Sequence, residues 1–289
     1  MKKLFKLLGI ISILCISVYG SNLRISAIEL VNQNTNSIVI IDTRSKLLYD
    51  QGHIKGALNF PVLKTFENLD QNGKIVNPAS FGEIARKLGL NINDKIIVYD
   101  EGSFFNSSRL FWTLEVYGFK NVRLLSDSYT FWVKNNYPIS NIPIKHTKSD
   151  YIPTIDSTKL ATKFSTQIAI RNPNQIIIDA RSNKGYNGEV STALRFGHIP
   201  KAINLPAQHN INKKSDGSQS LHSRINLEKI YSKLDKKKKV IIYCEVGKLS
   251  STNYFAMREL GFNVSNYDSS WKEWGNEFHL PIIKPKKKI

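Results

Sequence analysis

Residues Ile38 to Arg44 read IVIIDTR, and residues Gln175 to Arg181 read QIIIDAR. Each is a short β-branched run bounded by polar residues and closed by Asp-x-Arg, the pattern of a strand buried in a parallel sheet. Outward from these runs the two copies stay in step. Gly52-His53-Ile54-Lys55-Gly56-Ala57-Leu58-Asn59-Phe60-Pro61 is answered by Gly197-His198-Ile199-Pro200-Lys201-Ala202-Ile203-Asn204-Leu205-Pro206. Lys95 to Asp100 (KIIVYD) is matched by Lys239 to Cys244 (KVIIYC). Each leads through a Gly- and Ser-containing loop into a helical pattern, Leu110 to Tyr117 or Tyr254 to Leu260, that ends at Gly118 or Gly261. Asp127-Ser128-Tyr129 with Trp132 pairs with Asp268-Ser269-Ser270-Trp271 with Trp274, and both copies close on Pro-Ile, Pro138-Ile139 and Pro281-Ile282. A repeat of this length means tandem domains rather than a solenoid. Strands alternating with helices predict an α/β fold in which each half is a parallel β-sheet flanked by helices, joined by right-handed crossovers. Pro143, Pro153 and the polar residues between them mark a linker at 143–153, with a first domain over 21–142 and a second over 154–289.

The composition agrees with a packed fold: of 289 residues, 41% are apolar and 22% charged, with 16 Gly and 10 Pro, which excludes fibrous and disordered chains. Two cysteines exclude a disulfide-dense scaffold and a zinc site built on four thiolates. Lys2, Lys3 and Lys6 precede an apolar run from Leu7 to Val18 that ends in Val18-Tyr19-Gly20. About a dozen apolar residues fall short of the roughly 20 that a spanning helix needs, so residues 1–20 read as a signal peptide cleaved after Gly20. The expected location is exported and periplasmic. Cys15 follows Leu14 rather than a small residue and does not read as a lipid attachment site. Cleavage removes Cys15 and three lysines, takes the net charge from +18 to +15, and leaves Cys244 as the one thiol. With no disulfide partner in its own chain, that thiol is a candidate reactive group.

Cys244 ends the apolar run Val240 to Tyr243 and is followed by Glu245-Val246-Gly247-Lys248-Leu249-Ser250-Ser251. A loop curling from a strand into a helix N-terminus aims several backbone N–H groups inward, and the helix dipole adds positive potential, so an anion can be cradled there. The same field favours the thiolate, the nucleophilic form. The residues alone are equally compatible with a buried, inert cysteine at a strand end. The binding crevice of an open parallel sheet lies beyond the carboxyl ends of its strands, where both Asp100 and Cys244 fall.

The Asp-x-Arg strand, the Gly-His-Ile block, the strand-Cys-loop-helix turn with Gly247 three residues after Cys244, and the Asp268, Trp271 and Trp274 block together resemble the rhodanese family. The resemblance covers nearly the whole chain beyond residue 20. With a cysteine in the second copy and Asp100 in the first, the chain is similar to two-domain thiosulfate and mercaptopyruvate sulfurtransferases, whose first domain is catalytically silent. The resemblance implies a ping-pong reaction in which the Cys244 thiolate takes the outer sulfur of a small anionic donor such as thiosulfate, and a thiophilic acceptor, cyanide or a thiol, removes it. The loop N–H groups from Glu245 to Ser250 (Glu245, Val246, Gly247, Lys248, Leu249 and Ser250) would stabilise the persulfide. No metal and no cofactor is implied.

The sequence departs from the family at two places. Thiosulfate enzymes usually follow the cysteine with Arg and Lys, and mercaptopyruvate enzymes with Gly and Ser; here Glu245 and Val246 stand instead. A carboxylate facing the thiol would oppose thiolate formation and repel a dianion, whereas one facing solvent would do neither. Gly185 stands before Tyr186 where the family often has Arg, which leaves Arg181, Lys184 and Arg195 as candidate charge partners for the substrate. Asp179 and Arg181 with His198, like Asp42 and Arg44 with His53, read as fastenings of the sheet end. In the first copy Asp100 cannot carry a sulfane sulfur, and that half is expected to form one wall of the cleft through Glu101, Phe104, Phe105 and Arg109. A cysteine phosphatase would need Arg six positions after the Cys, where Ser250 stands. The lysine runs Lys236 to Lys239 and Lys284 to Lys288 carry no interleaved aromatics, so nucleic acid is not an expected partner. They would draw in anionic donors and leave a weak contact with an anionic membrane surface open. A monomer is expected, and a sulfur-carrying module with no turnover of small donors is the alternative reading.

Overall fold

The structure is a computed structural model that describes residues 22–33, 37–70, 72–144 and 146–284. The expected signal peptide, Cys15 and the end of the lysine-rich tail lie outside these residues. The first half contains β1 (Arg24–Ile25), α1 (Ala27–Val31), β2 (Ile38–Asp42), α2 (Lys46–Gln51), β3 (His53–Ile54), β4 (Ala57–Asn59), α3 (Pro78–Lys87), β5 (Lys95–Tyr99), α4 (Phe105–Val116), β6 (Val122–Leu125), α5 (Tyr129–Lys134) and β7 (Ile139–Ser140). The second contains β8 (Leu160–Ala161), α6 (Lys163–Arg171), β9 (Gln175–Asp179), α7 (Asn183–Tyr186), β10 (Ala202–Asn204), β11 (Ile211–Lys213), β12 (Gln219–Leu221), α8 (Arg224–Tyr231), β13 (Lys239–Tyr243), α9 (Ser250–Glu259), β14 (Val264–Tyr267) and α10 (Ser270–Trp274).

The central sheets repeat one topology. Strands run β4-β2-β5-β6-β1 in the first half and β10-β9-β13-β14-β8 in the second, with every neighbour parallel. Tyr99 lies in register with Asp42 and Tyr243 with Asp179, so the residues that follow, Asp100 and Cys244, sit at the carboxyl edge of the two central strands.

The shared sequence blocks fasten this edge. Asp42 and Asp179 are fully buried, each paired with its own arginine at 2.7 Å (Arg44) and 2.6 Å (Arg181). Each carboxylate also accepts a tyrosine hydroxyl, Tyr99 at 2.5 Å and Tyr243 at 2.6 Å. The arginines reach on to the carbonyls of Gly52 and Gly197, and the Asn59 and Asn204 amides clasp the main chain on either side of the Asp-x-Arg turn. His53 stacks on Tyr49 and His198 on Tyr186, with ring centroids 3.8 and 3.7 Å apart. Burial depresses His198 below the usual imidazole range, opposed by the Tyr186 carbonyl and Asp179.

Both helices that follow the central strands start earlier than the apolar pattern indicates, at Phe105 rather than Leu110 and at Ser250 rather than Tyr254. Their first turns carry buried small polar residues, and the preceding loop satisfies some of them: Asp100 receives the Ser107 N–H and hydroxyl, and the Gly247 carbonyl receives the Ser251 hydroxyl. The segment expected as the linker is packed against the first half. Tyr151 is buried against Phe81 and Phe119, donates to the Tyr117 carbonyl at 2.5 Å, and Ser149 N–H bonds the end of α3. Helices α4 and α9 meet at the junction of the halves. There Phe111 and Phe255 pack edge to face, and Phe111, Trp112, Tyr254 and Phe255 belong to one apolar cluster that draws residues from both sheets. Charged pairs frame it: Arg24 with Glu259, and Arg258 with Glu115 at 2.9 Å, the latter also accepting the Tyr254 hydroxyl.

Candidate active site

Cys244 is fully buried. Its thiol packs among Ala180 and Ala207, with Phe105 of the first half and Leu249 of its own loop closing over it. The backbone on either side is pinned: the Cys244 N–H donates to Ser270 Oγ at 3.1 Å, and its carbonyl accepts the Trp271 N–H at 3.0 Å. Ser270 is one residue more than the first copy has between its Asp-Ser pair and the aromatic residue over the arginine. It is held in the left-handed region at φ 52°, with its hydroxyl passed on to the Tyr267 carbonyl at 2.6 Å. A strained non-glycine at this point, with its hydroxyl on the cysteine backbone, is a local cost retained at the site. Ser250 Oγ lies 3.4 Å from Cys244 Sγ and 2.7 Å from Asn266 Oδ1. Its single proton serves one of these acceptors at a time.

The loop between strand and helix is built around Gly247. At φ 69° a side chain is disfavoured, and a Cβ there would meet the Asp268 carbonyl at 2.5 Å and Arg109 Nη1 at 2.8 Å. The Gly247 carbonyl accepts from Ser251 Oγ at 2.7 Å, Asn266 Nδ2 at 3.0 Å and Arg109 Nη1 at 3.3 Å. Val246 lies beneath Gly73 of the first half, where a Cβ would come within 2.9 Å of it. Lys248 is half-buried. Desolvation pulls its ammonium below the usual lysine range, opposed by Asp100 and Cys244.

The sequence left the direction of Glu245 open. Its carboxylate accepts the Thr192 hydroxyl and lies 3.8 Å from Arg181 Nη1, so it faces the arginine of its own sheet end. It also stands 3.6 Å from where a Cβ at Gly185 would be, so the two departures from the family meet at one spot. Burial raises the Glu245 carboxyl above the usual carboxylate range, with Thr192 and Arg181 opposing.

Of the three candidate charge partners, Arg181 is buried beside Asp179 and over the Trp271 ring at 4.5 Å; its Nη1 has no hydrogen-bond partner. Lys184 is exposed on α7. Arg195 requires correction as a substrate partner. Its guanidinium binds the carbonyls of Trp274, Gly275, Glu277 and Leu280, closing the C-terminal end of α10, whose last carbonyls lack helical partners. Ser270, Asn266 and Thr192 touch the site and escaped the sequence reading; the extra residue between Ser269 and Trp271 was the one available signal.

The corresponding loop of the first half holds an anion of its own. Asp100 Oδ1 accepts the N–H groups of Gly102 at 2.8 Å and Phe104 at 3.1 Å, and Oδ2 accepts those of Asn106 and Ser107 at 3.1 Å together with Ser107 Oγ. Burial raises this carboxyl, and the backbone donors of Ser107, Gly102 and Phe104 with the Ser107 hydroxyl oppose the rise. In the second half, by contrast, no acceptor among the described residues faces the N–H groups of Val246 and Lys248, which by position correspond to Gly102 and Phe104.

These features define a tandem α/β protein whose Cys244 thiol is set in a strand–loop–helix turn with unfilled backbone donors. The rhodanese-like domain matches residues 27–135 and again residues 163–277, and the chain belongs to the rhodanese family. A thiosulfate sulfurtransferase of Corynebacterium glutamicum is 28% identical over 84% of this chain and 84% of its own length. The sulfur carrier protein TtuD of Thermus thermophilus is 29% identical over 82% of this chain and 87% of its own. Among solved structures, SseA from Escherichia coli, described as a 3-mercaptopyruvate sulfotransferase, aligns with TM-score 0.77 at 25% identity over 87% of this chain and 99% of that one. An EanB complex with ergothioneine shares the fold at TM-score 0.81 and 19% identity, over 93% of this chain and 72% of that one.

Proposed function

We propose that the protein is a sulfurtransferase in which Cys244 carries the transferred sulfur. The observation that carries this reading is the pair of loops. The first has its backbone donors filled by a built-in carboxylate, while the second sets a thiol beside donors with no protein acceptor, ready for an anionic sulfur. The relatives named as sulfurtransferases support it. The Cys244 thiolate attacks the outer sulfur of thiosulfate, the sulfur–sulfur bond of the donor breaks, and sulfite leaves with the bonding pair. A cysteine persulfide anion remains, received by the N–H groups of Val246 and Lys248 and by the Ser250 hydroxyl. A thiophilic acceptor then attacks the terminal sulfur and returns the thiolate; with cyanide the product is thiocyanate. We further propose that the protein acts as an exported, periplasmic monomer after loss of residues 1–20, and that its net positive charge draws anionic donors toward the cleft.

The sealed thiol favours a second reading, in which one sulfur is carried per chain and handed to a protein partner without turnover of small donors. Intact-mass measurement separates the two. Wild type incubated with thiosulfate, or with mercaptopyruvate, is expected to gain one sulfur atom that cyanide removes, and Cys244→Ser to gain none. Continued thiocyanate release supports the enzyme. Release of a single equivalent supports the carrier, and no sulfur uptake from either donor overturns the small-donor reading.

A further inference from the structure

Arg109 is the most deeply buried arginine of the molecule, and it belongs to the half that has no thiol. Counted from Asp100 and Cys244, Arg109 and Asn253 hold the same place in their repeats. Each touches its own half in the same way, Arg109 through Thr65 and Asn253 through Asn210 and Leu205. The difference is charge and reach: Arg109 also crosses the junction to the Gly247 carbonyl of the thiol loop.

Its partners are unusual for a buried guanidinium. All three hydrogen bonds, to Thr65 Oγ1, the Thr65 carbonyl and the Gly247 carbonyl, are long, at 3.3 to 3.4 Å, and all go to neutral oxygens. The group is clamped between Phe66 and Trp112, whose ring centroids lie 4.2 and 4.5 Å away. No carboxylate among the described residues forms an ion pair with it. The groups of opposite or titratable character that face it are Asp268, Cys244 and Tyr117. Desolvation pulls Arg109 down to about 10, so it stays charged at neutral pH. A buried cation without a paired anion is costly unless an anion completes the site.

We infer that Arg109 is a positioning residue of the Cys244 site: its guanidinium fixes the Gly247 carbonyl of the thiol loop and offsets the negative charge that Cys244 carries as thiolate or persulfide. This rests on reading Cys244 as the sulfur carrier. Around Cys244 the charged groups are then Arg109 from α4 and Lys248 from its own loop, with Asp100 beside Lys248, Asp268 beside Arg109, and Glu245 turned away to Arg181.

The test is the pH dependence of Cys244 alkylation by iodoacetamide, in the full chain carrying Cys15→Ser so that one thiol remains. Arg109→Gln keeps amide donors but no charge, and is expected to raise the half-reaction pH by about one unit, a tenfold loss of thiolate below it. Arg109→Lys, which restores the charge, is expected to recover more than half of that shift. A folded Arg109→Gln protein with an unmoved half-reaction pH overturns the inference. If Arg109→Gln does not fold, Asp268→Asn decides the question. Losing the carboxylate that faces Arg109 is expected to lower the half-reaction pH, and a value that stays or rises overturns the inference. No sulfur donor is present in these measurements, so a wild type that takes up no sulfur would count against the proposed function and leave the Arg109 result standing.

Discussion

Asp100 and Cys244 end equivalent strands in equivalent sheets, yet their surroundings differ in one respect that organises the molecule. Around Asp100 four backbone N–H groups converge on a carboxylate that is part of the chain, and that carboxylate caps the first turn of α4. Around Cys244 the backbone N–H is held by Ser270 Oγ, from outside the loop, while the Trp271 N–H on the Cys244 carbonyl repeats the Tyr129 N–H on the Asp100 carbonyl; the loop's own donors at Val246 and Lys248 have no acceptor among the described residues. A permanent anion makes the first loop structural. A thiol in the same place leaves the second loop's donors to an anion that comes and goes.

The comparison can be broken at the first loop. Asp100→Ala strands three buried N–H groups and a half-buried one, and the expected loss of unfolding free energy is at least about 3 kcal/mol by urea titration. A loss well under about 1 kcal/mol would mean the carboxylate is not what holds that loop. At the second loop, Ser270→Ala removes the acceptor of the Cys244 N–H, with an expected loss of about 1–2 kcal/mol and slower sulfur uptake. The same substitution at Ser128 of the first copy removes the N-terminal cap of α5, which the Phe131 N–H donates to. It is expected to change stability alone, leaving the uptake rate as it was.

The smallest effect is expected from Glu245→Gln, and its sign sharpens the comparison. The folded Glu245 carboxyl is raised above its ordinary value of 4.5, mainly by burial, so its ionisation opposes folding. The folded wild type holds this proton more tightly than the unfolded chain. Its stability therefore falls, relative to Glu245→Gln, as pH rises from 4.5 toward neutrality, and the two proteins converge in acid. Unfolding midpoints at pH 4 and pH 7 check this; a wild type that instead gains on Glu245→Gln as pH rises would show the Arg181 contact dominating.

Much of this was legible in the sequence, for definite reasons. The β-branched runs closed by Asp-x-Arg gave both central strands, since a strand buried on two faces must be apolar along its length. The paired Gly-His-Ile blocks marked the sheet-end fastening because their leading glycine carbonyls, histidines and asparagines bond within their own repeats. What stayed hidden depends on contacts across long separations. Arg195 looked like a free cation because its partners are main-chain carbonyls, which leave no mark in the side-chain sequence. The direction of Glu245 follows from a nitrogen that Asp179 leaves unoccupied on Arg181, and the reach of Arg109 follows from how α4 meets the other half. The packing of the linker also stayed hidden, because Tyr151 finds its pocket among Phe81 and Phe119, both distant in sequence.

The apolar cluster shared by α4 and α9 bears on how the molecule comes apart. Because Phe111 and Trp112 are covered by residues of the opposite repeat, neither half can lose its structure without stripping the other, and heating should meet one cooperative transition rather than two. A chain that arose by copying a domain has in this sense stopped being two: a proteolytic nick between the halves would leave them associated, whereas either half made alone would expose the face that the other now covers.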